Sequence, residues 1–229
     1  MTPFLLIPGL NANAHVFASA AEALWKHGPV TIANHIEGDG MAGITANILA
    51  EAPPRFALAG FSFGGYLAFE ILRQAPDRVL KLALIDTSAR SDTPESRENR
   101  ERRITLVEEG RFPAVINQSF PGSVHPENAN DADLMAAHAA MSRANGAEAY
   151  VRHQKAIIDR PDSRPLLGTI RVPTVVIVGE EDQITPLAVA REMHARINLS
   201  RLFIIPGAGH MALLEQPQAV NDALVDWAA

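Results

Sequence analysis

The stretch Ala57-Leu58-Ala59-Gly60-Phe61-Ser62-Phe63-Gly64-Gly65-Tyr66-Leu67-Ala68-Phe69 constrains this chain more than any other: an apolar run stops, turns on glycines around one serine, and resumes as apolar helix. A continuous apolar run of this length reads as a strand buried on both faces. The helix that follows, over residues 65–74, is apolar nearly all round and should lie at the centre of the fold. G-x-S-x-G between a strand and a helix makes a sharp elbow, in which the serine takes a strained backbone conformation and its hydroxyl stands out above the sheet. A side chain at Gly60 or Gly64 would collide across so tight a turn. Ser62 is thereby a candidate nucleophile, and the alternative, an ordinary Gly-rich turn, has to be excluded by the rest of the chain.

The rest of the chain alternates. Short apolar runs at residues 4–7, 30–33, 56–59, 79–85, 174–178 and 202–205 read as strands, and amphipathic segments at 14–25, 41–52, 65–74, 187–197 and 217–227 read as helices. Asn13 is available to cap the first helix, and Pro217 to open the last. Alternation of this kind predicts right-handed crossovers and an α/β fold, a mostly parallel sheet of about six strands with helices on both faces. The rhythm breaks over residues 90–164, where helical periodicity is interrupted by Pro113, Pro121, Pro126 and Gly146. The expected organisation is a core of residues 1–89 and 165–229 carrying a helical cap insertion, 90–164.

In open α/β sheets the ligand crevice lies beyond the carboxyl ends of the strands. The segments that follow strands are Pro8-Gly9-Leu10, Gly60-Phe61-Ser62-Phe63-Gly64, Gly179-Glu180-Glu181-Asp182 and Pro206-Gly207-Ala208-Gly209-His210. Serine, then acid, then histidine is the chain order of a hydrolase triad on this topology. A serine hydroxyl is a poor nucleophile until an imidazole takes its proton, which His210 is placed to do. The imidazole needs a carboxylate on its other nitrogen, assigned to Asp182, with Asp86 as the reserve because it too follows a strand. An oxyanion hole needs two backbone donors, assigned to the amides of Phe63 and Leu10. His35-x-Glu37-x-Asp39 reads as a polar turn rather than a metal cluster. The run Arg97, Arg100, Arg102 and Arg103, interleaved with Glu95, Glu98 and Glu101, reads as a solvated helix face.

A net charge of −6 argues against nucleic acid or an anionic membrane as the main partner. The N-terminal apolar run is too short and lacks the basic flank of a signal peptide, and no transmembrane segment is visible, so a cytoplasmic protein is expected. The absence of cysteine removes disulfide scaffolds, thiolate nucleophiles and cysteine metal sites. The oligomeric state has no sequence signal.

From Phe4 to Trp227 the chain resembles the α/β-hydrolase superfamily. The resemblance is carried by Gly60-Phe-Ser62-Phe-Gly64-Gly65, Gly179-Glu-Glu-Asp182-Gln-Ile-Thr-Pro186 and Gly207-Ala-Gly-His210. It is nearest to small bacterial serine carboxylesterases with a helical cap. It implies the superfamily's eight-stranded sheet without its first two strands, and a cap inserted after the strand ending at Asp86. The chain has Pro8-Gly9 where many relatives have His-Gly, and His35-Ile-Glu-Gly-Asp-Gly-Met where they have Asp-x-x-Gly-x-Gly-x-Ser. Serine at position 62 sets it apart from relatives that attack with aspartate. The implied activity is hydrolysis of a small-molecule carboxylic ester through an acyl-enzyme, with no cofactor and no metal. Alternatives sharing the triad are C–C bond hydrolysis, thioester or lactone cleavage and acyl transfer, or a ligand receptor with an idle triad. Phe112, Phe120, Met135, Met141 and Tyr150 of the cap, with Phe61 and Phe63, are expected to make the pocket largely apolar.

Overall fold

Apolar runs bounded by Pro, Gly and Asp become the strands β1 (Phe4–Ile7), β2 (Val30–Ile32), β3 (Phe56–Phe61), β4 (Val79–Ile85), β5 (Thr174–Gly179) and β6 (Ser200–Ile205). The computed structural model describes residues 1–229 and assembles these strands into one sheet of order β2-β1-β3-β4-β5-β6, every neighbouring pair parallel. Because strand side chains alternate, each run feeds two cores. Phe4, Leu6, Ala57, Ala59, Val175 and Ile177 enter one, and Leu5, Ile7, Phe56, Leu58, Val176 and Val178 enter the other. Unbroken apolar strands are what a sheet covered on both faces requires.

Eleven helices complete the chain. The helix expected over 14–25 divides into a tight 3-10 turn, Ala14–Phe17, and α1 (Ala18–Leu24); Asn13 caps the turn by accepting the His15 N–H at 3.0 Å. Next come α2 (Gly40–Glu51) and α3 (Phe63–Gln74), the latter leaving the serine elbow with Leu67, Ala68, Phe69 and Ile71 completely buried. Between β4 and β5 lie α4 (Pro94–Glu108), α5 (Phe112–Ser119), α6 (Ala132–Asn145), α7 (Ala147–Ile158) and α8 (Arg164–Leu167). Helix α5 was not expected, because Pro113 reads as a separator; it sits instead in the helix's first turn, where its missing N–H has no intrahelical acceptor to lose. The chain ends with α9 (Leu187–Arg196), α10 (Ala212–Glu215) and α11 (Pro217–Ala228). Helices α1 and α11 cover one sheet face, and α2, α3 and α9 cover the other. No helix is long and apolar enough to cross a membrane.

The inserted helices have a small apolar cluster of their own: Val107, Phe112, Val115, Ile116 and Tyr150. They are tied to the sheet by polar contacts near the carboxyl ends of the strands. His153 of α7 donates from Nε2 to the His35 carbonyl at 2.8 Å, and the Arg152 guanidinium donates to the Ile36 carbonyl at 3.0 Å. His35 in turn donates from Nε2 to the Gly9 carbonyl at 3.1 Å, and Asn145 of α6 donates to the Ala12 carbonyl at 2.8 Å. The two buried imidazoles stack with centroids 4.9 Å apart. What reads in sequence as a polar turn at His35 is therefore a seam between insertion and core.

Burial holds both imidazoles neutral. The pKa of His35 falls to about 4 by desolvation, and that of His153 to about 3 by desolvation and the neighbouring His35. His138 of α6 falls to about 4 for the same first reason. In the unfolded chain these groups return to about 6.5. Between roughly pH 6.5 and 4 the unfolded state binds more protons at these sites, so stability drops as pH falls through that window. Asp86, whose pKa burial and the nearby Asp182 charge push well up, works in the opposite sense and offsets part of the effect. A net loss of stability is expected between pH 7 and pH 5, read as a lower urea midpoint at pH 5. His138→Phe should shrink the pH dependence; a midpoint equal at the two pH values would contradict the account.

Candidate active site

Ser62 lies between β3 and α3 with φ 52° and ψ −113°, a conformation costly for any residue with a side chain. Its surroundings leave no alternative. A Cβ on Gly60 would run into the backbone of Gly64, and one on Gly64 into the Ile7 carbonyl, so the helix can start directly against β1 only if both are glycine. The Ser62 N–H donates to the Ile85 carbonyl at 2.9 Å, while its own carbonyl accepts from Thr87 Oγ1 at 2.8 Å and Gly65 N–H at 2.9 Å. The strained residue is thus held on both sides by the end of β4, and its hydroxyl stands above the sheet.

His210 follows β6 and brings Nε2 to 2.8 Å from Ser62 Oγ. Its Nδ1 lies 2.8 Å from Asp182 Oδ2. The remaining lone pairs of Asp182 are taken as well: Oδ1 accepts from the N–H groups of Ile184 and Thr185 at 2.8 and 2.9 Å, and Oδ2 from Thr185 Oγ1 at 2.7 Å. Burial works to raise the pKa of Asp182, but the charge of His210 and the hydrogen bonds from His210 and Thr185 outweigh it and hold the carboxyl below its usual range. Asp86, the reserve acid, does not reach His210. It lies completely buried, its Oδ1 accepts the Gly179 N–H at 2.8 Å, its Oδ2 has no partner, and burial pushes its pKa well above the usual carboxylate range.

Two positioning groups have no motif in the sequence. Glu215, at the end of α10, accepts with Oε1 from Gly209 N–H at 2.9 Å and Met211 N–H at 3.2 Å, clamping the residues on either side of His210. Its Oε2 accepts from His125 N–H at 2.6 Å and Asn128 Nδ2 at 2.9 Å, which joins the histidine loop to the insertion. His35 is the second. By donating to the Gly9 carbonyl it supports the loop that carries Leu10, in a chain with Pro8 before that glycine. Thr185 was within reach of sequence reading, being three residues after Asp182 in the Asp-Gln-Ile-Thr-Pro segment.

The N–H of Leu10 makes no bond to protein, and that of Phe63, at the first position of α3, has no helical acceptor. Leu10 and Phe63 line a cavity of about 360 Å³ that also receives Ser62 and His210. Its walls correct two expectations. Phe61, Phe63, Met141 and Tyr150 do line it, but Phe112, Phe120 and Met135 do not: Phe112 belongs to the insertion's own cluster, Phe120 packs in the main core, and Met135 is exposed. Polar groups take their place, among them Ser96, Asn99, Arg100 and Arg103 of α4. The basic run is accordingly not only a solvated face. Residues 96, 99, 100 and 103 fall on one helical stripe, which turns toward the cavity, while Arg97 and Arg102 turn to solvent and pair with Glu101 and Glu98.

The family profile of the alpha/beta hydrolase fold matches residues 52–217. A pimeloyl-[acyl-carrier protein] methyl ester esterase of Nitrosomonas europaea is 26% identical over 188 residues, covering 79% of this chain and 74% of its own. Among solved structures, a thermophilic esterase from Thermogutta terrifontis superposes with a TM-score of 0.89 at 27% identity, over 99% of this chain and 89% of its own. An enol-lactonase from Burkholderia xenovorans shares the fold with a TM-score of 0.85 at 22% identity, over 99% of this chain and 91% of its own. With a profile match that runs through the serine elbow, the inserted helices and the histidine loop, this chain belongs to the alpha/beta hydrolase fold family and is a hydrolase of that fold.

Proposed function

We propose that this hydrolase cleaves a small carboxylic ester through an acyl-enzyme intermediate, with Ser62 as nucleophile, His210 as base and then acid, and Asp182 as the carboxylate behind it. The observation that carries the reading is the unbroken chain Ser62 Oγ to His210 Nε2 to Asp182, with 2.8 Å at each link, opening on a cavity beside two uncommitted amides. The esterase names of its relatives support the same reading. In this scheme His210 removes the hydroxyl proton as Ser62 Oγ attacks the acyl carbon, and Asp182 stabilises the imidazolium and fixes its tautomer. The carbonyl oxygen becomes an oxyanion within reach of the Leu10 and Phe63 amides, which the start of α3 and the braced Gly9 loop hold ready before substrate arrives. His210 returns the proton to the leaving alkoxide. A water, activated by the same imidazole, then releases the acid and restores the serine. We propose further that residues 90–164 act as a cap that shapes the substrate cavity.

p-Nitrophenyl acetate should give a burst of p-nitrophenol followed by slower turnover, and a fluorophosphonate should label Ser62. Ser62→Ala should lose both signals; equal rates in the two proteins would refute the nucleophile, and wild-type protein that takes up no label would favour a ligand receptor.

Asp182→Asn should reduce kcat by on the order of 10³–10⁴, because the histidine is left in the wrong tautomer. Asp86→Asn keeps an acceptor for the Gly179 N–H and should cost less than tenfold. The reverse ranking in steady-state kinetics would transfer the acid's role to Asp86.

A further inference from the structure

Resting on the esterase reading above, the geometry points to a subsite for a carboxylate in the wall of the cavity that holds Ser62, formed by Arg103 and the Tyr150 hydroxyl, so that the preferred ester carries an anionic group away from the scissile bond.

The cavity above Ser62 is lined by two arginines and by no aspartate or glutamate. In a chain of net charge −6, this makes the cavity wall locally more positive than the protein as a whole. The other arginines of α4 are committed. Arg97 faces Glu101, Arg102 faces Glu98, and Arg100 donates to Asp92 at 2.7 Å and to Gln154 Oε1 at 2.8 Å. Arg103 alone of the four faces no carboxylate, and its guanidinium fork lies beside the Tyr150 phenol.

The phenol is held in place by the same network. Gln154 is completely buried; its Oε1 is used by Arg100, which leaves its Nε2 to donate to the Tyr150 oxygen at 2.7 Å. The tyrosine's own proton then has no acceptor in the protein and is free for a ligand. Burial raises the phenol's pKa against the pull of both arginines, so it remains a donor at neutral pH. A guanidinium fork and a phenolic O–H converging on one space match a planar carboxylate, which offers two oxygens to the fork and a further lone pair to the hydroxyl. Asp92 is shared by Arg100 and Arg160, so the guanidinium of Arg100 is fixed in place and turned away as a ligand anchor, while these three residues together keep one net positive charge behind the unpaired Arg103.

The test compares monomethyl adipate with methyl hexanoate, esters of equal chain length that differ in the terminal carboxylate. Wild-type protein should show the higher kcat/KM on the half-ester, mainly through KM, and the preference should shrink as salt rises. Arg103→Gln should lower the half-ester to neutral-ester ratio of kcat/KM at least tenfold, and Arg103→Lys should restore part of it. A wild-type enzyme without the preference, or an Arg103→Gln variant that loses rate equally on both esters, would overturn the subsite. Calorimetric titration with adipate and with hexanoate reads the same subsite independently of turnover. Adipate should bind wild-type protein at least tenfold more tightly than Arg103→Gln, and hexanoate should not discriminate. Adipate binding lost in Arg103→Gln, in a protein that cleaves neither ester and takes up no fluorophosphonate, would refute the esterase reading and leave the subsite standing.

Discussion

The contact between the start of α3 and the end of β1 is the constraint from which the site follows. Gly64 stands so close to the Ile7 carbonyl that no Cβ fits between them, and Gly60 is equally closed by Gly64. A helix that begins this near the sheet forces the intervening residue out of the ordinary backbone regions, and Ser62 takes up the strain. Conformations of this kind cost about 1–3 kcal/mol and persist only where neighbours over-determine them. Here the neighbours are the Ile85 carbonyl, the Thr87 hydroxyl and two apolar cores that meet at the sheet. The helix start also leaves the Phe63 amide without a helical acceptor, beside the space above the serine. One packing constraint thus supplies an exposed hydroxyl and one of the two donors that would stand beside it.

The elbow and the loops ending in Asp182 and His210 were legible because each is announced locally. An apolar run ends, a glycine or aspartate follows, and the rule that crevices form beyond the carboxyl ends of parallel strands does the rest. Features that depend on how one element leans against another were not legible. Arg100 and Arg103 alternate with glutamates and have the look of a solvated face; only the packing of α4 against α7 decides that their stripe turns inward. The spacing 96, 99, 100, 103 carried that information in principle, but nothing local says which stripe of a polar helix meets a cavity. Pro113 misled for a related reason, since proline ends a helix or begins one according to context. The expected lining differs because Phe112 and Phe120 are used to build cores and not to line space.

His35 shows how one substitution of loop chemistry is absorbed by another. Without a histidine before Gly9, the loop bearing Leu10 is held from outside by an imidazole on the loop after β2. That imidazole stacks on His153, whose own ring packs at 4.7 Å from Phe63, and Asn145 fastens the far end of the loop at Ala12. Both candidate oxyanion donors therefore sit against residues of the inserted helices. Movement of α6 and α7 and the geometry of the donor pair are mechanically linked, by contact rather than by distance.

The acid side of the site is braced in the same manner. Asp86 shares the positive-φ backbone of Ser62, at φ 43°, and spends its one satisfied oxygen on Gly179, the last residue of β5. Gly179 opens the turn that delivers Asp182, so Asp86 acts on the carboxylate's position, while burial and the nearby Asp182 charge push its own pKa well up. Glu215 does for His210 what Asp86 does for Asp182, with the difference that it also bonds the insertion through His125 and Asn128. An acid that braces by accepting N–H groups and an acid that polarises an imidazole can both follow a strand in sequence. What separates them is solvation and partner: the Asp182 oxygens are filled by four donors that stabilise its charge, whereas Asp86 is left with an oxygen that has none.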